Sequence, residues 1–293
     1  MMEYRDFGTT GLKVSALGFG AGMIGDETIS EIDVETILNS VLDSGITLID
    51  TARGYGISEK RIGRHLSHRR DEFVLSTKVG YGIEGYNDWT YDCILAGIEE
   101  ARKLLQTDYI DIVHLHSCSL QTLQQGEVID ALEESAHRGK IKVAAYSGEN
   151  NEFDFAVHSN RFSSGMSSLN ICDQRIIDRV LHIAKDKGMG FIAKRPIANS
   201  PWRFQEQPIG HYSEVYWLRW REMALDYGID ELEVALRFSA FIYGVDSCIV
   251  GTKSIEHIKR NVEVIEKGKL PEDMVIQIQN TFRQYDNNWI GLL

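Results

Sequence analysis

Leu48-Ile49-Asp50-Thr51-Ala52-Arg53-Gly54-Tyr55-Gly56-Ile57-Ser58-Glu59 is the stretch on which the fold turns. An apolar run over 46–49 ends abruptly in the carboxylate of Asp50, Tyr55 follows between two glycines, and Ser58 opens a helical segment. A buried strand ending in a charge, then a glycine-rich turn, is how a barrel enzyme presents a catalytic group at the rim of its sheet. The same pattern also describes a helix cap or an ion pair. The rest of the chain decides between them by supplying, or not supplying, partners for Asp50 and Tyr55.

Working outward, the chain repeats one theme: a short apolar run followed by an amphipathic segment. The runs fall at 16–20, 46–50, 73–78, 110–116, 142–147, 167–171, 190–194 and 247–252, eight in all. Between them, apolar residues recur at the three-and-four spacing of a helix face, as in Val34, Ile37, Leu38, Val41 and Leu42 before Gly45. Ile94, Leu95, Ile98, Ala101 and Leu105 repeat it, as do Val128, Ile129, Leu132 and Ala136, and Ile255, Ile258, Val262 and Ile265. Eight strands alternating with helices predict an α/β protein with a (β/α)8 TIM barrel. Residues 2–13, centred on Gly8-Thr9-Thr10-Gly11, predict an N-terminal β-hairpin before it. A doubly wound sheet is the other reading, but no GxGxxG follows the first run. No Pro/Ser/Gly-rich linker interrupts the chain, so residues 1–293 are expected to form a single domain. Two connections exceed what a barrel needs: 79–90, with Tyr81, Tyr86 and Trp89, and 195–212, with Trp202 and Phe204. Both leave strand C-termini and are candidate walls of a substrate pocket. The tail, 272–293, carries Tyr285, Trp289 and Ile290 and is expected to fold over the same face.

Composition narrows the function classes. With 293 residues, 43% hydrophobic and 25% charged, the chain suits a large globular core. A net charge of -12 leaves no Lys/Arg surplus for phosphate backbones, which argues against nucleic acid. Cys93, Cys118, Cys172 and Cys248 show neither zinc nor disulfide spacing. Reduced thiols, a polar N-terminus and the lack of a membrane-length apolar stretch predict a cytoplasmic protein with no membrane partner.

The strand ends can now be compared. The second run ends in Asp50, the third in Lys78 and the fourth in His116, so three adjacent strands put a carboxylate, an ammonium and an imidazole at one rim. A lysine there is costly unless paired, and Asp50 can pair with it. An ammonium beside a phenol stabilises the phenolate and makes the phenol a usable acid near neutral pH. Such a phenol at Tyr55, with His116 to orient an oxygen or share the proton, suits protonation of a carbonyl as hydride reaches its carbon. The side chains hold no hydride, so a nicotinamide cofactor has to supply it.

These residues resemble the aldo-keto reductase superfamily. The resemblance rests on Asp50-Thr-Ala-x-x-Tyr55-Gly-x-Ser58-Glu59, Ser76-Thr-Lys78-Val-Gly and Asp108-Tyr-Ile-Asp-x-x-x-Leu-His116. It extends to Gly139-Lys-Ile and to Ile249-Val-Gly251-Thr-x-x-x-Glu256-His-x-x-x-Asn261, and runs from the hairpin to about residue 265. It implies NAD(P)H lying across the C-terminal face of the barrel, a small carbonyl or alcohol substrate, and Asp50, Tyr55, Lys78 and His116 as the catalytic set. Tyr55 would be the general acid/base, tuned by Lys78. It also implies that Gly251 and Thr252, with Lys253, His257, Arg260 and Asn261 at the start of the following helix, grip the adenosine end. A helix start offers free N–H groups, and two cations with a histidine favour NADP(H) over NAD(H).

Around the nicotinamide the chain departs from the family pattern. Ser147 is followed by Gly148 instead of asparagine, Met166 stands where a glutamine is usual, and Lys194 replaces an aromatic. Lys194 or Arg195 is therefore expected to meet the cofactor pyrophosphate or an anionic substrate. Arg53, Trp89 and Trp202 are weaker substrate candidates. Two other readings stay open: an NADP(H)-binding sensor barrel with little turnover, and a metal-dependent hydrolase barrel using His114 and His116. Such a hydrolase would need further ligands at later strand ends, where the sequence has Ser147, Asn170, Lys194 and Thr252.

Overall fold

The computed structural model describes residues 1–292. Strands β1 (Tyr4–Asp6) and β2 (Lys13–Ser15) pair antiparallel as a hairpin. Eight parallel strands follow: β3 (Leu17–Gly20), β4 (Leu48–Asp50), β5 (Val74–Val79), β6 (Ile110–His116), β7 (Ile141–Ser147), β8 (Ser164–Ser168), β9 (Gly190–Lys194) and β10 (Ser247–Val250). They close into a barrel in chain order, β10 pairing with both β9 and β3. The TIM-barrel architecture read from the sequence is the one observed.

The helices between and after them are α1 (Glu31–Asp43), α2 (Ser58–Leu66), α3 (Tyr91–Leu104), α4 (Leu120–Gln125), α5 (Glu127–His137), α6 (Asn150–His158), α7 (His182–Asp186), α8 (Glu214–Met223), α9 (Glu231–Phe241), α10 (Ile255–Glu266) and α11 (Glu272–Tyr285). Their starts follow local chemistry. Ser30, Thr90 and Ser254 each accept a hydrogen bond from the backbone N–H three residues on, satisfying a donor the helix itself leaves free. On α1 the buried residues are the periodic ones, Val34, Ile37, Leu38, Val41 and Leu42, and Gly45 ends the turn at φ +82°.

One strand differs from expectation. The sixth barrel strand is Ser164–Ser168, not 167–171. Its residues, Ser-Gly-Met-Ser-Ser, carry almost no apolar signal, whereas Leu169 and Ile171 just beyond are fully buried in the loop. The hydropathy pattern marked the buried loop and missed the strand.

Inside the barrel, Leu48, Val74, Ile112, Val143, Ala145, Met166 and Ile192 form an apolar layer with Val14 and Phe7, the latter from the hairpin. Above it the interior turns polar. Register places Asp50 beside Ser76, Lys78 beside His114, His116 beside Ser147, and Ser168 beside Lys194, so the C-terminal rim collects charge. The chain after α11 crosses to the ends of β7 and β9. Arg219 donates to Ile290 O at 2.7 Å, Asn150 exchanges two hydrogen bonds with Gly291, and Arg195 donates to Leu292 O. Leu293, the last residue of the expected tail, lies outside the described residues.

Candidate active site

Asp50, Tyr55, Lys78 and His116 line one cavity of about 260 Å³ at the C-terminal rim. Lys78 and Asp50 are both almost fully buried, and Lys78 Nζ donates to Asp50 Oδ2 at 2.5 Å and to Thr51 O at 2.7 Å. Ser76 holds the other carboxylate oxygen at 2.7 Å. Burial alone would pull the ammonium below its ordinary pKa, but Asp50 and Tyr55 outweigh it and the group is held above. Lys78 Nζ lies 5.0 Å from the Tyr55 ring centroid, and the Tyr55 and His116 rings meet edge to face at 6.1 Å.

Tyr55 is braced by the loop after β3. Gly25 approaches so closely that a Cβ there would fall 1.8 Å from Tyr55 O, and Gly56, at φ +54°, meets Gly25 O from the other side. Ser58 locks the crossing: its hydroxyl donates to Ala21 O and accepts from Thr51 Oγ1, both at 2.8 Å. Gly56 and Ser58 of the quoted stretch, with Gly25 opposite, thus bring two backbones into contact around the tyrosine.

His116 is pushed down to about 3, chiefly by burial and further by Lys78 and Lys194, so its ring is neutral across the physiological range. His114, one pleat lower, is fully buried, and its ring nitrogens have no hydrogen-bond partner among the described residues. Among the described residues no group of three or more His, Cys, Asp or Glu side chains is placed to hold a metal ion. The ligands a hydrolase would need are not assembled around this pair. The four cysteines are buried and unpaired.

The rest of the cavity lining is Gly20, Gly22, Met23, Ser117, Ser147, Met166, Lys194, Arg195, Ile249 and Gly251. Four of the expected cofactor residues, Ser147, Lys194, Arg195 and Gly251, therefore share the cavity with the tetrad. Lys194 reaches Glu149 Oε1 at 3.1 Å, and Arg195 Nη1 stands 3.7 Å from the same oxygen. Glu149 also accepts from Ser167 Oγ and from the N–H and hydroxyl of Ser168. Burial pulls Lys194 below its ordinary pKa, Glu149 opposing and Arg195 adding to the shift. The Arg195 guanidinium also donates to Ser168 Oγ and to the tail at Leu292 O.

Thr252, Lys253, His257, Arg260 and Asn261 sit around the start of α10, beyond the cavity lining. Thr252 Oγ1 accepts from Ser254 N–H at 3.1 Å and pairs with His257 Nδ1 at 3.2 Å. Arg260 is tied to Asp230 at 2.5 Å, whereas Lys253 has no salt-bridge partner among the described residues. Of the two cations at this helix start, one is already engaged.

The weaker substrate candidates are placed elsewhere. Arg53 donates to Gly82 O at 2.9 Å and pairs with Glu100 at 3.2 Å, so it anchors the 79–90 loop and does not face the cavity. Trp89 packs on Tyr81 with centroids 5.8 Å apart, and Trp202 packs on Trp220 at 5.7 Å. Neither is among the cavity residues. Sequence reasoning missed Glu149, Gly22, Met23 and Ser117 and treated Tyr81 only as loop wall, although Tyr81 bonds His116 Nδ1 at 2.9 Å. The missing asparagine has a steric cause. A Cβ at Gly148 would strike the Tyr146 ring at 2.5 Å, and that ring is fixed by its hydroxyl on Cys118 O at 3.0 Å.

A model of the aldo/keto reductase family matches residues 16–282. L-galactose dehydrogenase of Arabidopsis thaliana is 29% identical over 284 residues, covering 90% of this chain and 88% of that protein. An uncharacterized oxidoreductase of Bacillus subtilis (strain 168) is 27% identical, covering 97% of each chain. Among solved structures, the holo form of an aldo-keto reductase from Bacillus halodurans superposes with a TM-score of 0.83, at 29% identity over 96% of each chain. No helix among the described residues is long and apolar enough to cross a membrane.

Proposed function

The chain belongs to the aldo/keto reductase family, and from that premise we propose that its four rim residues interconvert a carbonyl and an alcohol with Tyr55 as general acid/base. That it is an oxidoreductase of carbonyl or alcohol substrates follows from the family and its named relatives. The finer assignment rests on one observation: Tyr55, Lys78 and His116 border the same cavity, with Lys78 locked onto Asp50.

A bound nicotinamide supplies or accepts the hydride, and the family uses NAD(P)(H) for this purpose. The residues present suit such a group. Ser147 Oγ is buried, unpartnered among the described residues and at the cavity wall, a state that costs about 1–3 kcal/mol until a polar group such as a carboxamide bonds it. Gly20, Gly22 and Gly251 add no side chain to the lining of the same cavity. In the reduction direction the Tyr55 hydroxyl gives its proton to the carbonyl oxygen, and in oxidation it takes that proton back. Lys78 stabilises the phenolate left behind, Asp50 keeps the ammonium in place, and neutral His116 donates a hydrogen bond that orients the oxygen.

NADP(H) is proposed over NAD(H), because Lys253 stands at the start of α10 with no carboxylate paired to it among the described residues, where it can receive a 2′-phosphate. The decisive experiment is an NADPH and NADH oxidation screen against a carbonyl panel, sugars first given the likeness to an L-galactose dehydrogenase, with Tyr55→Phe as control. Turnover that vanishes in Tyr55→Phe is expected. No carbonyl reduced, no alcohol oxidised and an indifferent Tyr55→Phe defeat the proposal.

A further inference from the structure

Tyr81 is the one aromatic residue of the 79–90 loop that reaches the catalytic set, and nothing assigned so far uses it. Its hydroxyl lies 2.9 Å from His116 Nδ1, and the two rings stack at 5.7 Å with 27° between their planes. The loop is built to hold it there. Trp89 backs the Tyr81 ring at 5.8 Å, and the Trp89 backbone N–H donates to Gly80 O at 2.7 Å. Gly80 lies at φ +144°, where a Cβ would overlap the Trp89 ring at 2.0 Å. On the other side a Cβ at Gly54 would stand 2.6 Å from the Tyr81 hydroxyl, so the first glycine beside Tyr55 clears space for a different tyrosine. Asp88 and Arg53 fasten the loop through Gly82.

The direction of this bond follows from counting protons. A neutral imidazole has one donor nitrogen and one acceptor. His116 is neutral down to about 3, and Tyr81 keeps its proton because burial, and then Tyr55, push its pKa up. The Tyr81 hydroxyl makes no other hydrogen bond among the described residues. If Nδ1–H donated, the phenol proton would be left without a protein acceptor among the described residues. Donation from the phenol to Nδ1 uses it and leaves the imidazole proton on Nε2.

Resting on the reductase reading above, we infer that Tyr81 is a positioning residue: it fixes His116 in the Nε2–H tautomer, so that the nitrogen free of protein partners is the donor offered to the carbonyl oxygen. Tyr81 itself touches neither substrate nor cofactor and acts through His116.

The test begins on the cofactor-free protein, where no turnover is needed. Long-range 1H–15N correlation spectra of the His116 ring should give an unprotonated, hydrogen-bonded Nδ1 and a protonated Nε2. In Tyr81→Phe, which keeps the ring stack, both nitrogens should shift toward the average of the two tautomers while the unfolding midpoint stays near that of the parent. With an active substrate, kcat should fall about tenfold with little change in KM, the loss expected for one neutral hydrogen bond. A protonated Nδ1 in the parent, or nitrogen shifts unchanged in Tyr81→Phe, overturns the inference. If the shifts respond but no carbonyl is turned over, it is the reductase reading that has failed.

Discussion

Lys78 and Asp50 form an ion pair sealed from solvent, 2.5 Å apart with side chains 2% and 1% exposed. Such a pair is a poor source of net stability but a severe liability when broken, because the survivor is a lone charge in a medium of low dielectric. Lys78→Met and Asp50→Leu alone should each lower stability by about 3–5 kcal/mol in urea unfolding. The double variant should recover much of that loss and still reduce no carbonyl. Equal losses in the double and single variants would show that the pair does not carry the penalty.

The neutral His116 makes the fold sensitive to acid. Its folded pKa is about 3 against an ordinary 6.5, so between those values the unfolded chain holds a proton that the folded chain refuses. Stability is therefore complete above pH 6.5 and falls as pH drops toward 3, by roughly 1 kcal/mol per pH unit from this group. His116→Gln removes its share, and the stability profile should flatten over that window. An unchanged slope by denaturant titration between about pH 4 and 6 counts against the assignment.

Lys194 borders the same cavity as Tyr55, Lys78 and His116, and the nicotinamide ring proposed to bind there is cationic only when oxidised. Glu149 offsets part of the Lys194 charge, but Arg195 on the same carboxylate leaves one cation in excess. The protein should therefore bind the reduced cofactor better than the oxidised one by a margin of about fivefold, on the order of 1 kcal/mol at an effective dielectric near 20. Lys194→Met should shrink that ratio, and in the parent the ratio should fade as pH rises through the lowered Lys194 pKa. Tryptophan-quenching titrations with both redox forms measure it directly.

At the adenosine end the two cations should behave differently. Lys253→Ala should weaken NADP(H) about tenfold with little effect on NAD(H), the loss of one charge-assisted contact. Arg260→Ala should cost less, since Asp230 already holds that guanidinium at 2.5 Å. Paired dissociation constants for the two nucleotides decide between this and a cofactor preference set elsewhere.

The barrel was legible because its period is physical: each buried strand ends where the rim begins, and a charge at that point, as at Asp50, Lys78 and His116, breaks the hydropathy visibly. The sixth strand escaped because its sequence is mostly serine, Ser164, Ser167 and Ser168 all being buried polar residues in a pattern that reads as loop. Relationships across strands were harder. Nothing local joins Lys194 to Glu149, whose meeting depends on barrel closure. Arg53 sits between Asp50 and Tyr55 in sequence, yet its side chain goes to Gly82 O and Glu100 instead of the cavity. The substitution at position 148 was visible, but its reason, the Tyr146 ring lying over that backbone, was not.

Phe7, fully buried in the hairpin turn, stoppers the barrel at its lower end against Gly190, where a Cβ would strike the ring at 2.6 Å. The polar interior is accordingly a vessel with one mouth. Whatever reaches Asp50, Tyr55, Lys78 and His116 therefore enters from the C-terminal rim.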